Sequence, residues 1–286
     1  MLFVLLAISW PTALQVVTIV SPDLVTSVAL LAALGYAVRS ARLSGLNVRA
    51  MYWAVVSSLL AGLWGAHLLW LLVHGWSGGP VALFEFVQGG KSLFGGLVFG
   101  GLAAGLYFRY RKLPGLAYAD AAIPAVALGY AIGRIGCFLN GDDYGTLTHV
   151  RWAVVYPPGT EAYQAHLERG WISPADLWSL PVHPVQLYAS ALGLVLFVIF
   201  ANWRPKWEGG RLCAYLILYG FGRFFTEYLR GDFRKVLGPF SLPQLFSLFF
   251  IVLGVQIWLQ RRREQPVEAL VTAAPDQARS CQWRPL

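Results

Sequence analysis

The sequence predicts an all-α integral membrane protein of about seven transmembrane helices, with a small extracytoplasmic head between the fourth and fifth. Three observations predict it. Of the 286 residues, 57% are hydrophobic and 13% charged, and the mean hydropathy is +0.56. A soluble domain carries about 25% charged residues, and a bilayer has no water to satisfy exposed polar groups, so the deficit points to lipid as the solvent. Apolar runs recur along most of the chain, and basic residues gather in short clusters between alternate runs.

Seven runs have membrane character: about 24–38, 52–73, 93–108, 119–138, 185–203, 212–225 and 242–259. Several are shorter than the roughly 20 residues that a hydrocarbon core of about 30 Å requires. The first could begin nearer Ser21. Ahead of it lies 2–20, apolar and interrupted by Pro11. It lacks the basic start of a signal peptide, and reads as an interfacial or re-entrant piece, or alternatively as an eighth span.

The loops give orientation. Arg39, Arg42 and Arg49 follow the first run, and Arg109, Arg111 and Lys112 the third. Arg204, Lys206 and Arg211 follow the fifth, and Arg261, Arg262 and Arg263 the last. These are alternate loops, so the positive-inside rule puts all four clusters in the cytoplasm, the N-terminus outside and the C-terminus inside. The expected organisation is one polytopic membrane domain, 1–263, with its head insertion at about 140–183, and a flexible cytoplasmic tail, 264–286. The net charge of +8 then reads as topology, and nucleic acid is not an expected partner. Cys137, Cys213 and Cys281 have neither metal spacing nor an even count, so neither metal nor cofactor is expected. No internal repeat is found, which argues against a transporter built from two related halves.

Charge inside an apolar run marks candidate chemistry. Arg134 sits in Ala131-Ile-Gly-Arg-Ile-Gly-Cys-Phe-Leu-Asn140. An arginine there costs several kcal/mol unless it is paired or meets water, so it is a functional candidate. Gly133 and Gly136 beside it would let a backbone or headgroup come close. The turn Asn140-Gly-Asp-Asp-Tyr-Gly145 follows, with Gly141 and Gly145 permitting tight bends. Either Asp142 or Asp143 could hold Arg134 or take a proton. Arg223 and Glu227 are four apart and share a helical face, with Arg230 about one turn further on. Basic charge at that end runs against the positive-inside trend, and arginine's planar fork suits a phosphate. His183 and Tyr188 open the fifth run and could bind a headgroup or move a proton. Gly89-Gly-Lys-Ser92 lacks the earlier glycine of a nucleotide-binding loop, where Glu85 stands, although Lys91 could help bind an anion.

From about Gly35 to the last run, the chain resembles the prolipoprotein diacylglyceryl transferases of bacterial membranes. The most specific piece is Gly133-Arg-Ile-Gly-Cys-Phe-Leu-Asn-Gly-Asp-Asp-Tyr-Gly145. Supporting pieces are Gly89-Gly-Lys-Ser-Leu-Phe-Gly-Gly96, Tyr118-Ala-Asp120, His183-Pro-Val-Gln-Leu-Tyr188, Gly222-Arg-Phe-Phe-Thr-Glu-Tyr-Leu-Arg230 and Gln244, in the same order and spacing. The resemblance implies a seven-helix protein of the bacterial inner membrane. It implies that phosphatidylglycerol donates a diacylglyceryl group to the lipobox cysteine of a prolipoprotein signal peptide, forming a thioether and releasing glycerol phosphate. Arg134 and Arg223 match the arginines that hold the donor's phosphate. Asn140, Gly141, Gly145, Tyr188, Glu227, Arg230 and Gln244 are carried over as substrate-binding positions. Asp142 and then His183 are the candidates for activating the thiol.

The chain departs from the family pattern in its proton-handling half. Phe94 stands where the family usually has a histidine, Cys137 where it has an asparagine, and Ala189 where it has an acid. Leu63 replaces an early arginine, and the first run lacks a clear counterpart of a family tyrosine. A diverged enzyme with another acceptor, or a non-catalytic lipid-binding protein, are the alternatives. Cys137 beside Arg134 is expected either to pack or to act as an electropositive thiol.

Overall fold

The computed structural model describes residues 9–10, 13–15, 22–74, 92–232 and 235–277. It is mostly helical, as expected. The long helices are α1 (Pro22–Leu43), α2 (Val48–His74), α3 (Leu93–Tyr110), α4 (Gly115–Asn140), α6 (Val185–Asn202), α7 (Gly210–Thr226) and α8 (Leu242–Gln277). A short helix, α5 (Glu161–Glu168), lies in the insert between α4 and α6. By length and composition, α1, α2, α4, α6 and α8 can cross a membrane. α3 and α7 are shorter, at 18 and 17 residues. Most helices run past the ends expected from apolarity alone, because backbone hydrogen bonding continues where long basic side chains reach out of the apolar zone.

α4 is the hub. It packs on α1, α6 and α7, while α2 pairs mainly with α3 and α7 with α8. Its buried face is small: Ala121, Ala125, Ala127 and Ala131 let neighbouring backbones approach. Ser190 of α6 donates to the Ala131 carbonyl at 2.8 Å, which fixes α6 one turn below Arg134. Large apolar side chains such as Leu31, Leu60, Leu72 and Leu106 are exposed on the helices. An aliphatic surface of this kind is suited to lipid rather than water.

The insert has its own core, in which Phe138 and Leu139 of α4 meet Tyr144, Val154, Tyr156, Ala162 and Val182. β3 (Val154–Val155) lies inside it. β1 (Ser9–Trp10) pairs antiparallel with β2 (Ala13–Gln15), and β2 pairs parallel with β3 through Leu14 and Gln15. The described part of 2–20 is therefore a strand pair docked on the insert, not a helix. The buried His166 accepts the Leu180 N–H at 3.2 Å, and burial holds its pKa down at about 4, so the ring is a neutral part of this core. Gly89, Gly90, Lys91 and Cys281 fall outside the described residues, as does the end of the expected tail.

β4 (Lys235–Leu237) and β5 (Phe240–Ser241) form a hairpin that leads into α8. Ser241-Leu-Pro-Gln244 makes a capping box. Ser241 Oγ accepts from the Gln244 N–H at 3.4 Å, and Gln244 Oε1 accepts from the Ser241 N–H at 3.0 Å.

Candidate active site

Arg134 and Arg223 leave their helices from equivalent places. Tyr130 is one turn before Arg134 on α4, and Tyr219 one turn before Arg223 on α7. The two tyrosine rings pack edge to face at 5.2 Å, and the Arg134 guanidinium lies over the Tyr130 ring at 5.1 Å. Residues four apart share a helical face, so the ring contact aligns the arginine-bearing faces. α4 and α7 also end together, because Gly145 and Arg230, just beyond them, form a β-bridge.

The turn after α4 brings an acid back to the arginine. Gly141 adopts φ +74, with its N–H on the Cys137 carbonyl at 3.0 Å, and this ends the helix. Asp143 is also left-handed, with φ 54, a conformation that aspartate tolerates better than most residues. The two reversals fold the turn so that Asp143 Oδ2 accepts from Arg134 Nη1 at 2.5 Å. Its Oδ1 accepts from Arg230 Nη2, also at 2.5 Å. Gly145 is held against the next segment, where a Cβ would sit 2.2 Å from the His183 carbonyl oxygen, so no other residue fits there without backbone movement.

The ion pairs then continue to α7. Glu227 pairs with Arg223 at 2.7 Å and lies 3.9 Å from Arg230. Arg230 also reaches Asp232, at 2.8 and 2.5 Å. The result is a chain of alternating charge, Arg134–Asp143–Arg230–Glu227–Arg223. Arg230 is not on a further helical turn, as its spacing suggested. α7 ends at Thr226, a 3-10 turn covers Glu227–Leu229, and Arg230 is extended. That extension is what carries its guanidinium to Asp143.

The chain assigns different roles to its arginines. Arg230 is surrounded by three carboxylates. Arg134 and Arg223 each have one carboxylate partner, although a guanidinium has five donors. Their side chains are only 12% and 9% exposed. A Cβ at Gly133 would meet nothing within 4 Å, so of the two close approaches expected there, a backbone or a headgroup, no backbone makes one and open space lies beside Arg134. Burial pushes the Asp143 pKa up, but Arg230 and Arg134 outweigh it and hold the carboxyl down at about 2.

Asp142 faces elsewhere. Asn140 Nδ2 donates to its Oδ2 at 2.9 Å, while Oδ1 is buried and accepts no hydrogen bond among the described residues. Burial raises its pKa above the usual carboxylate range, and the neighbouring Asp143 adds to the rise. Ligand atoms of Cys137, Asp142 and Asp143 lie within 4.8 Å of one another. Both Asp143 oxygens are taken by guanidinium groups, so this trio is poorly suited to a metal. Cys137 therefore sits against carboxylates as well as Arg134.

His183 and Tyr188 form a separate pair. His183 Nδ1 is 3.2 Å from the Tyr188 hydroxyl, which also accepts from Trp152 Nε1 at 2.7 Å. Among the described residues neither side chain bonds to the arginine–acid chain. Gln244 is fully buried. Its Nε2 donates to the Phe224 carbonyl at 3.4 Å, and the hydroxyl of its capping partner Ser241 donates to Glu227 at 3.0 Å, so the capping box braces the Arg223 side of the site.

Several parts of the site are not among the residues that the sequence singles out. Gln186 donates to the Asp142 carbonyl at 2.7 Å and to the Tyr156 hydroxyl at 3.1 Å, anchoring the turn. Ser241 was legible as the start of a Ser-x-x-Gln box. Tyr130 and Tyr219 were legible as a shared spacing, Tyr-Ala-Ile-Gly-Arg134 and Tyr-Gly-Phe-Gly-Arg223. Asp232 carries no local signal.

A family model described as prolipoprotein diacylglyceryl transferase matches residues 11–260. The chain belongs to the prolipoprotein diacylglyceryl transferase family. It is 35% identical over 205 residues to the phosphatidylglycerol–prolipoprotein diacylglyceryl transferase of Corynebacterium glutamicum, covering 68% of this chain and 63% of that protein. The likeness to the enzyme of that name from Geobacter sulfurreducens is 33% over 196 residues, covering 65% and 68%. For Paraburkholderia phytofirmans it is 32% over 243 residues, covering 77% and 79%. The chain spans less than two thirds of the length of the corynebacterial relatives. The prolipoprotein diacylglyceryl transferase match contains every residue of the charged chain from Arg134 to Asp232.

Proposed function

We propose that this chain transfers the diacylglyceryl group of phosphatidylglycerol to the lipobox cysteine of a prolipoprotein signal peptide. The observation that carries the reading is the alignment of Arg134 and Arg223 on two touching helix faces, each with donors beyond its one carboxylate. The names of the family and of its relatives support the donor and the acceptor. In this reading the two arginines bind the phosphate of the headgroup. The acceptor sulfur attacks the glycerol carbon, a carbon–sulfur bond forms, and the bond from that carbon to the phosphate oxygen breaks. The oxygen keeps the electron pair and leaves as glycerol phosphate, and the thiol proton passes to a base. Fixed guanidinium groups favour the departing phosphate most as the carbon–oxygen bond lengthens.

Asp142 is the proposed base. Its unbonded Oδ1, its raised pKa and its place on the same turn as Asp143 support it over His183, whose ring is engaged with Tyr188. Asn140, Gly141 and Gly145 shape that turn, and Arg230, Glu227 and Gln244 hold the arginines in place. Tyr188 and His183 line the neighbouring surface of the insert.

The topology belongs to the same reading. All seven long helices span the inner membrane of a bacterial cell, with the N-terminus and the insert outside and the C-terminus in the cytoplasm. Residues 1–263 make one membrane domain. The four basic clusters support this orientation.

Purified protein, labelled phosphatidylglycerol and a lipobox peptide test the proposal. Thioether product and free glycerol phosphate are expected, and no product beside an active relative rejects it. In this assay Asp142→Asn should lower kcat about 100-fold, the usual contribution of a positioned base. The wild-type rate should fall as pH drops through the raised Asp142 pKa, because the carboxylate is the active form, and the variant should lose that acid limb. A variant with an unchanged pH profile would remove Asp142 from the base role.

A second reading keeps the donor and changes the acceptor. Phe94, Cys137 and Ala189, at positions where the family pattern differs, favour it. Full rescue of a bacterium lacking its own transferase argues against it.

A further inference from the structure

At the end of the bundle opposite the arginine–acid chain, a cavity of about 320 Å³ opens between α4, the start of α7 and the loop joining α6 to α7. The loop supplies Arg204, Lys206, Trp207 and Glu208, α7 supplies Arg211, and α4 supplies Asp120. Nothing in the transferase reading uses this cavity, and the inference stands independently of it.

The charges around the cavity do not balance locally. Asp120 accepts the N–H groups of Gly209 at 2.8 Å and Leu212 at 2.9 Å, so its carboxylate is committed to capping α7. Arg211 is only 6% exposed. It donates from Nε to the Trp203 carbonyl at 2.6 Å and from Nη1 to the Asp120 carbonyl at 3.5 Å. Among the described residues, no carboxylate oxygen lies within 4.0 Å of Arg204, Lys206 or Arg211. Arg211 hydrogen-bonds only to carbonyls, Asp120 is spent on the α7 N-terminus, and three cations share the wall with one further acid, Glu208, so the lining carries a net positive charge that favours an anion.

We propose that this cavity binds the phosphate of an anionic phospholipid headgroup from the leaflet at that end, the cytoplasmic one by the positive-inside rule. Three features favour a lipid over free phosphate. The cavity is larger than a bare phosphate needs. It is lined by Trp207, and the Trp203 carbonyl holds Arg211 in its wall, tryptophan being the residue type that settles at the headgroup level. The α6 helix that runs to the cavity exposes Leu194, Val195, Val198 and Ile199, along which acyl chains would run, and basic pockets between membrane helices are suited to such headgroups.

Native mass spectrometry of the full chain, titrated with phosphatidylserine, tests this. Phosphatidylserine is anionic but lacks the glycerol headgroup, and an Arg134→Gln background weakens the other anion site. One phosphatidylserine should be retained in preference to phosphatidylcholine. Arg204→Gln with Lys206→Gln should weaken that binding by about 30-fold, from roughly a factor of five per basic side chain at the membrane surface. Glu208→Gln, which removes the opposing acid, should tighten it. Unchanged binding in either variant overturns the site. Displacement of the lipid by an equal concentration of inorganic phosphate overturns the lipid assignment.

Discussion

Arg134→Gln should form thioether about 100- to 1,000-fold more slowly than the unaltered protein, and Arg223→Gln should lose a similar factor. In the proposed reaction each arginine would place charge-assisted donors where the leaving phosphate develops its charge, on side chains only 12% and 9% exposed. Lysine should restore little at either position, because it replaces a planar fork with a point charge. The double variant should fall by much less than the product of the two factors, since one phosphate bound by both groups is a single unit. kcat/KM with labelled phosphatidylglycerol measures all six proteins. Half or more of the activity surviving in Arg134→Gln would falsify the anion-binding role. Independent, multiplying losses would mean that the two arginines do not meet one phosphate.

Glu227→Ala should be the most damaging change to the fold among the charged residues. Glu227 is 3% exposed, pairs with Arg223 at 2.7 Å, lies 3.9 Å from Arg230 and accepts the Ser241 hydroxyl at 3.0 Å. Its removal leaves two neighbouring guanidinium groups buried with one fewer acid between them. Breaking a buried pair in this way costs about 3–5 kcal/mol. The expected outcome is a large drop in thermal midpoint in detergent, with activity lost even at temperatures where the variant stays folded, because Arg223 loses its support. Glu227→Gln should recover part of the stability through the Ser241 contact, but little activity. A Glu227→Ala protein that melts like its parent would show that the pair is dispensable, and with it the idea that Glu227 orients Arg223.

The legible parts of this site are those encoded at short range. The Arg223–Glu227 pair follows from a spacing of four on a helix, and a charged residue within an apolar run is conspicuous wherever it occurs. The end of α4 was also readable, since Gly141 follows directly on Asn140. The division of labour between Asp142 and Asp143 was not. Adjacent in sequence, they are sent in different directions by the left-handed backbone at Asp143, so one clamps two arginines while the other keeps an oxygen without a partner. Arg230 shows a related limit. Helical spacing put it on the same stripe as Arg223, but its bridge to Gly145, a residue 85 positions earlier, pulls it straight and aims it at Asp143.

The sequence by itself determined that the chain is a helical membrane protein and which family it joins, because hydropathy and local motifs are properties of contiguous residues. It also named both arginines at the heart of the proposed chemistry. The tertiary structure alone decided that the helix faces bearing these arginines meet through Tyr130 and Tyr219, that Asp143 joins Arg134 to Arg230 while Glu227 joins Arg230 to Arg223, and that three basic residues at the other end line a cavity. Those outcomes depend on contacts between segments far apart in the chain, in which packing of α4 against α7 and the path of the α6–α7 loop set distances that no local pattern records.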